Sequence, residues 1–298
     1  MTSLEWFGCA TYRMRTAGLT VMLDAYVDRA ADAAGPGART EDITDCDWIV
    51  IGHSHFDHLY GAERIMAQTD ATMIGSYETV RVMAEAGVAP DRMICVAGGE
   101  TVALSDRVSV SVYPSQHSCV WSHGAMIQAH EVCLGDLGVT WQEQQQRMQQ
   151  LTEHLGSALS ATSLAHLLGS MGSHSDRGDG GALLFHFDTP DGTVLYQDTS
   201  GHWSGILAGL RPDVAILAAA GRANIDGAPV QGSLLDFLRV EVEALRPRLT
   251  TLCHHDDWLP GFSVPTDMGP VRDLFDGLPT ELLELDYVTP TVVLDATA

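Results

Sequence analysis

Residues 53–58 read His-Ser-His-Phe-Asp-His, directly after the apolar run Trp48-Ile49-Val50-Ile51-Gly52. His53, His55, Asp57 and His58 can all ligate a metal, and they crowd into one short segment. Neutral imidazole suits zinc and other first-row metals, and a carboxylate beside it suits a second, harder position. A strand end would hold the segment rigidly, and the loop after it is free to curl around an ion. The bland alternative is a polar turn that happens to be rich in histidine. The strict spacing His-x-His-x-Asp-His argues against that alternative.

Six residues cannot enclose two metals, so other strand ends must contribute. Three further candidates sit where an apolar run stops. His117 lies in Tyr-Pro-Ser-Gln-His-Ser, Asp198 in Leu-Tyr-Gln-Asp-Thr-Ser-Gly-His, and His254 in Leu-Cys-His-His-Asp-Asp-Trp. Each alone reads as an ordinary polar loop residue. Together they share a logic, because strand ends on one edge of a sheet converge on one crevice. His255 competes with His254 for the last position, and His254 is preferred. His202 and Trp203 follow Asp198 closely and are candidates for a pocket wall, as are Trp121 and Trp258. His123, His130, His174 and Asp176 are weaker candidates. Asp24 is read either as a support for the 53–58 loop or as a strand terminus. Asp256 or Asp257 is a candidate acceptor that orients His254.

The elements that must carry these residues read as an alternation of strands and helices. Apolar runs predict strands over Thr20–Leu23, Trp48–Ile51, Thr72–Ile74, Met93–Val96 and Val108–Tyr113, and then over Ala182–Phe187, Thr193–Gln197, Val214–Ala218, Leu249–Cys253 and Thr291–Leu294. Thr189-Pro190-Asp191-Gly192 has the composition of a hairpin turn. Helices are predicted over Ser76–Ala86, which starts on a capping residue and stops at Gly87, and over Gly232–Leu245. Such alternation implies a layered α/β fold. Residues 118–181 break the rhythm and read as a helical insertion. Its first helix opens on the capping box Thr140-Trp141-Gln142-Glu143. It is expected to act as a lid or dimer surface, or else to decorate the fold without a role in chemistry.

Composition bounds the rest. With 298 residues and 45% apolar content, the chain has enough material for one large globular domain, 1–298. Lys and Arg total 16 against 39 Asp and Glu, a net charge of −23. That surface repels nucleic acid and anionic membranes, so neither is expected as a partner. No basic start followed by an apolar core is present, and no apolar run is long enough to span a bilayer. The six cysteines have no paired spacing and are expected to be buried, reduced thiols of a cytoplasmic protein.

The sequence resembles the metallo-β-lactamase superfamily over most of its length outside the insertion. The resemblance rests on Trp6-Phe7-Gly8-Cys9-Ala10-Thr11, on Leu23-Asp24-Ala25, on the 53–58 signature, and on His117, Asp198 and His254 in order. It is nearest to the branch of ascorbate-6-phosphate lactonase and the N-acyl-phosphatidylethanolamine phospholipase D type, where Gly-x-Ala-Thr and a late His-x-Asp-Asp recur. Two departures stand out: Asp24-Ala25 replaces the usual Asp-Pro, and Gln197-Asp198-Thr199 replaces Gly-Asp-Thr. The resemblance implies a four-layer αβ/βα sandwich with two metals at one edge. His53, His55 and His117 would hold one metal, Asp57, His58 and His254 the other, with Asp198 bridging.

Two divalent ions, with zinc favoured over manganese or iron, would lower the pKa of a shared water toward neutrality and polarise the attacked oxygen. No serine or cysteine nucleophile is then required. The expected activity is hydrolysis of a small ester, lactone or phosphoester, with Asp57 and Asp198 the carboxylates closest to the chemistry. The alternatives are an iron-dependent oxidoreductase resembling the sulfur dioxygenases and a non-catalytic metal-binding scaffold. The expected partner is a small-molecule substrate, with the insertion as the interface of any homo-oligomer.

Overall fold

The computed structural model describes residues 1–118, 140–172, 178, 180–220, 223–227 and 233–295. The strands are β1 (Thr2–Gly8), β2 (Thr11–Thr16), β3 (Leu19–Leu23), β4 (Trp48–Val50), β5 (Thr72–Gly75), β6 (Met93–Cys95), β7 (Thr101–Ala103) and β8 (Ser109–Pro114). They continue with β9 (Leu183–Thr189), β10 (Gly192–Gln197), β11 (Gly201–His202), β12 (Val214–Ala218), β13 (Asn224–Ile225), β14 (Leu249–Cys253), β15 (Glu281–Leu282) and β16 (Thr291–Leu294). The helices are α1 (Phe56–Leu59), α2 (Ala62–Gln68), α3 (Tyr77–Glu85), α4 (Trp141–Ala158), α5 (Ala161–Met171), α6 (Ser204–Leu207), α7 (Leu234–Leu245) and α8 (Met268–Phe275).

Two seven-stranded sheets form, in the orders β16-β1-β2-β3-β4-β5-β6 and β15-β14-β12-β10-β9-β8-β7. Their facing sides share one core, in which Tyr12, Leu23 and Val50 of the first sheet meet Val110, Phe185, Tyr196 and Ile216 of the second. Side chains alternate along a strand, so the neighbours of these residues face outward. Ile49 and Ile51 pack under α2 and α3 with Ile65, Met66, Val82 and Met83. Ala215 and Leu217 pack under α7 and α8 with Phe237, Val242 and Phe275. Strands covered on both faces read as unbroken apolar runs, which is why β4, β12 and β14 are legible in sequence. The helix–sheet–sheet–helix order is the expected four-layer αβ/βα sandwich.

Strand direction aims the site. β3 and β4 are parallel, and so are β10, β12 and β14. β8 and β10 each pair antiparallel with β9, so they too run the same way. Asp24 follows β3, His117 lies just beyond β8, and Asp198 and His254 immediately follow β10 and β14. In open α/β sheets the crevice beyond the carboxyl ends of parallel strands is where ligands bind.

Several local expectations hold. β9 and β10 form a hairpin with Thr189 opposite Gly192. Ser76 caps α3 through its side chain, and Thr140 and Glu143 make the reciprocal bonds of a capping box. The second predicted helix starts at Leu234 on a Ser233 cap. Among the described residues Cys9, Cys46 and Cys253 are free and buried, whereas Cys95 is free and exposed, contrary to expectation. Cys95 closes the edge strand β6, so one side of it lacks a neighbour. No helix among the described residues is long and apolar enough to cross a membrane. Cys119, Trp121, His123, His130, Cys133, His174 and Asp176 lie outside the described residues.

Candidate metal centre

The 53–58 segment leaves β4 and turns at once into α1. His55 is the residue preceding that helix, and Asp57 and His58 lie within its single turn. This places His53 and His55 on one side and Asp57 and His58 on the other. His53 Nε2 lies 3.1 Å from His55 Nδ1. The His117 ring stands 4.6 Å and 4.7 Å from those two rings, and the three offer a convergent set of ligand atoms. The Nδ1–H of His117 donates to the Ser118 carbonyl at 2.7 Å, which leaves Nε2 for a ligand role. The loop bearing His117 is pinned by Asn224 Nδ2, which donates to the His117 carbonyl, and by Thr199 Oγ1, which accepts from Ser118 N.

The second set gathers on the other side of His53. His58 Nε2 lies 3.4 Å from Asp57 Oδ2 and 3.1 Å from His254 Nε2. His254 Nε2 and Asp57 Oδ2 are 3.6 Å apart. Asp24 fixes the His58 tautomer: its Oδ2 accepts from His58 Nδ1 at 2.5 Å and from the Tyr196 hydroxyl, while its Oδ1 accepts from Gly52 N at 2.8 Å. Asp24 is therefore a support of the loop and not merely a strand terminus. A carboxylate on the remote nitrogen of a ligating histidine sets ring orientation and basicity.

Asp198 contacts one histidine of each set. Its Oδ2 accepts from His53 Nδ1 at 2.6 Å and sits 3.3 Å from His58 Nδ1. Among the described residues its Oδ1 is buried without a hydrogen-bond partner, a deficit that a cation would satisfy. A side chain at Gly52 would place Cβ 2.0 Å from Asp198 Oδ2, so this carboxylate occupies space that only glycine leaves open.

The electrostatics suit cations. Burial and the surrounding imidazoles push the His53 pKa well down, and burial with the His58 charge brings His254 to about 3. Both rings are therefore neutral, the form that ligates, whereas Asp57 and Asp24 overcome burial and raise His58, whose ring would give up its extra proton on ligation. Burial opposes charge on Asp57, but His58 and His254 outweigh it and hold the carboxyl well below its usual range. Burial pushes Asp198 up, a cost that a bound divalent ion would remove. The donor set of imidazoles and carboxylates thus fits metal ions on both sides of His53.

Other candidates fall elsewhere. His255 stacks on Trp6 at 4.5 Å, facing away from the cluster. His202 is buried against Phe237 and bonded to Glu241, so it lines no open pocket. Trp203 is exposed. Trp258 is buried and packs edge-on to His254 at 5.5 Å. Asp256 does not hold the His254 ring. Its Oδ1 accepts from Cys9 N, and its Oδ2 from Arg29 and the Tyr287 hydroxyl. Asp257 accepts from Ser263. Cys9 was not among the sequence candidates, yet its thiol stands beside Asp57 and His254.

A family model described as a beta-lactamase superfamily domain matches residues 20–189, more than half of the chain. A UPF0173 metal-dependent hydrolase of Pyrobaculum calidifontis is 30% identical over 115 residues, which cover 39% of this chain and 50% of that protein. The chain spans about half the length of the curated relatives it matches. Igni18, a metallo hydrolase from Ignicoccus hospitalis, superposes with a TM-score of 0.62 at 14% identity, over 97% of both chains. CmlA, a diiron β-hydroxylase from Streptomyces venezuelae, gives 0.58 at 14% identity over 98% of this chain and 54% of its own. At these identities the structural likenesses show the fold.

Proposed function

Because this chain belongs to the β-lactamase superfamily, we propose that it is a metal-dependent hydrolase of small esters, lactones or phosphoesters. The observation that carries the reading is the pair of neighbouring ligand sets, His53, His55 and His117 on one side and Asp57, His58 and His254 on the other, with Asp198 touching one histidine of each. Zinc is the metal we favour at both positions.

When bound, two divalent ions supply an activated water at neutral pH and polarise a carbonyl or phosphoryl oxygen. The protein's own residues do the positioning. Asp24 orients His58, and Asp198 orients His53. Asp57, ionised at neutral pH, offers an oxygen beside His58 and His254. Trp258, Phe56 and Leu259 pack behind His254 in an apolar cluster that limits water on that side. Helix α5 of the insertion adds Leu167 to the same cluster, and its His166 bonds the Tyr26 hydroxyl at 2.9 Å. This contact supports the insertion as a wall of the site over a detached decoration.

The acidic surface favours small substrates over nucleic acid. The test is a panel of lactones, carboxylic esters and phosphoesters, run on protein reconstituted with zinc, manganese or iron. The proposal expects chelator-sensitive turnover that Asp57→Asn and Asp198→Asn each lower by about 10²–10⁴-fold. Inertness of fully metal-loaded protein across the panel would overturn it. Iron-dependent oxygen chemistry is the second reading, since the imidazole-rich donor set also suits iron. Oxygen uptake by the iron-loaded protein, without hydrolysis, would select it.

A further inference from the structure

We propose that Cys9 is a ligand of the second metal position, which would then hold one thiolate, one carboxylate and two imidazoles: Cys9, Asp57, His58 and His254. This inference rests on the metal-centre reading above and deepens it.

Cys9 Sγ lies 3.6 Å from His254 Nε2, and its S–H points to the Asp57 carbonyl at 3.6 Å. Zinc–sulfur and zinc–nitrogen bonds of about 2.3 and 2.0–2.1 Å place tetrahedral ligand atoms about 3.3–3.6 Å apart. The separations among Nε2 of His58, Oδ2 of Asp57 and Nε2 of His254 are 3.4, 3.1 and 3.6 Å. The sulfur thus stands within a ligand's distance of His254 and groups with the Asp57 carboxylate, two members of a triad already spaced for a metal. Independently, the buried Asp198 Oδ1 has no hydrogen-bond partner among the described residues, and its sister oxygen lies 3.3 Å from His58 Nδ1, so an acceptor beside the same histidine is left for a cation.

The thiol is held in place. Cys9 has a left-handed backbone, with φ 49°, which costs a residue with a side chain of order 1 kcal/mol or more. Its N–H donates to Asp256 Oδ1 at 2.9 Å. Its carbonyl accepts from His254 N at 2.8 Å and from Trp6 Nε1 at 3.1 Å. In the metal-free protein burial, Asp57 and Asp256 keep the thiol protonated. On ligation the thiol would release that proton to the buffer and bind as the thiolate. A soft thiolate also biases the second position toward zinc and away from manganese.

The test is titration of the stripped full chain with Co(II) alone. The proposal expects a thiolate-to-cobalt charge-transfer absorption in the near ultraviolet. Cys9→Ser should remove it while visible cobalt bands from the remaining ligands persist. Cys253→Ala should retain it, because that thiol faces the Gln197 carbonyl at 3.7 Å. Cadmium NMR of the unmodified chain answers the same question without a variant, since a sulfur ligand moves the resonance far downfield. Cobalt or cadmium bound with no sulfur signature would overturn the ligation and leave the metal centre standing. Failure to bind either ion would overturn both.

Discussion

Cys9 and His254, 245 residues apart, are joined twice. The His254 N–H donates to the Cys9 carbonyl at 2.8 Å, and the Cys9 sulfur lies 3.6 Å from His254 Nε2. Both residues adopt a left-handed backbone. The turn after β1 and the end of β14 therefore make one wall of the site, and strain at both points is stored where the side chains meet. Neither residue falls within the 20–189 family match.

Asp24 serves three donors at once, the Gly52 N–H, the His58 Nδ1–H and the Tyr196 hydroxyl. Asp24→Asn keeps the left-handed backbone, which asparagine tolerates, but turns one acceptor into a donor. Metal affinity should fall about 10–100-fold, measured by competition with a chromophoric chelator. An unchanged affinity would remove Asp24 from the site's support.

Gly52→Ala should displace Asp198, because the added carbon falls 2.0 Å from its Oδ2. We expect bound metal to drop in this variant, with far-ultraviolet circular dichroism preserved. Full metal content would mean that the carboxylate can move without consequence.

Arg29 and Asp256 form a buried ion pair at 2.8 Å that braces the Cys9 turn. Asp256→Ala leaves the guanidinium buried and uncompensated, so urea unfolding should show a loss of about 3–5 kcal/mol. A loss under about 1 kcal/mol would show the pair to behave as a surface one.

Glu241 is buried in α7 and bonded to His202 at 3.2 Å. Burial raises its pKa despite the His202 contact. The folded state then holds a proton that the unfolded state has already lost, so this group's contribution to stability falls as pH rises above about 4.3 toward its folded pKa. Glu241→Gln should flatten that part of the stability–pH profile. Denaturant midpoints across this range check it, and parallel profiles for the two proteins would refute it.

The ligand segment at 53–58 was legible because four functional residues share one strand end. His117, Asp198 and His254 were legible as polar residues ending apolar runs, and the parallel strands converge them. β1 and β2 escaped notice because Glu5 and Arg13 interrupt their apolar pattern; in the fold these two pair across the sheet. Cys9 escaped because its partners Asp57 and His254 are 48 and 245 residues away, a separation with no local signature. Its only trace was a place in the Gly8-Cys9-Ala10 turn. Asp256 misled by adjacency: the chain turns at left-handed His254 and sends the carboxylate back to Cys9.

The most direct measurement is metal per chain by elemental analysis, on the unmodified protein and on Asp198→Ala. The account predicts two ions per chain, zinc foremost, and fewer in the variant. A chain that retains no metal after careful purification and attempted reloading would contradict it.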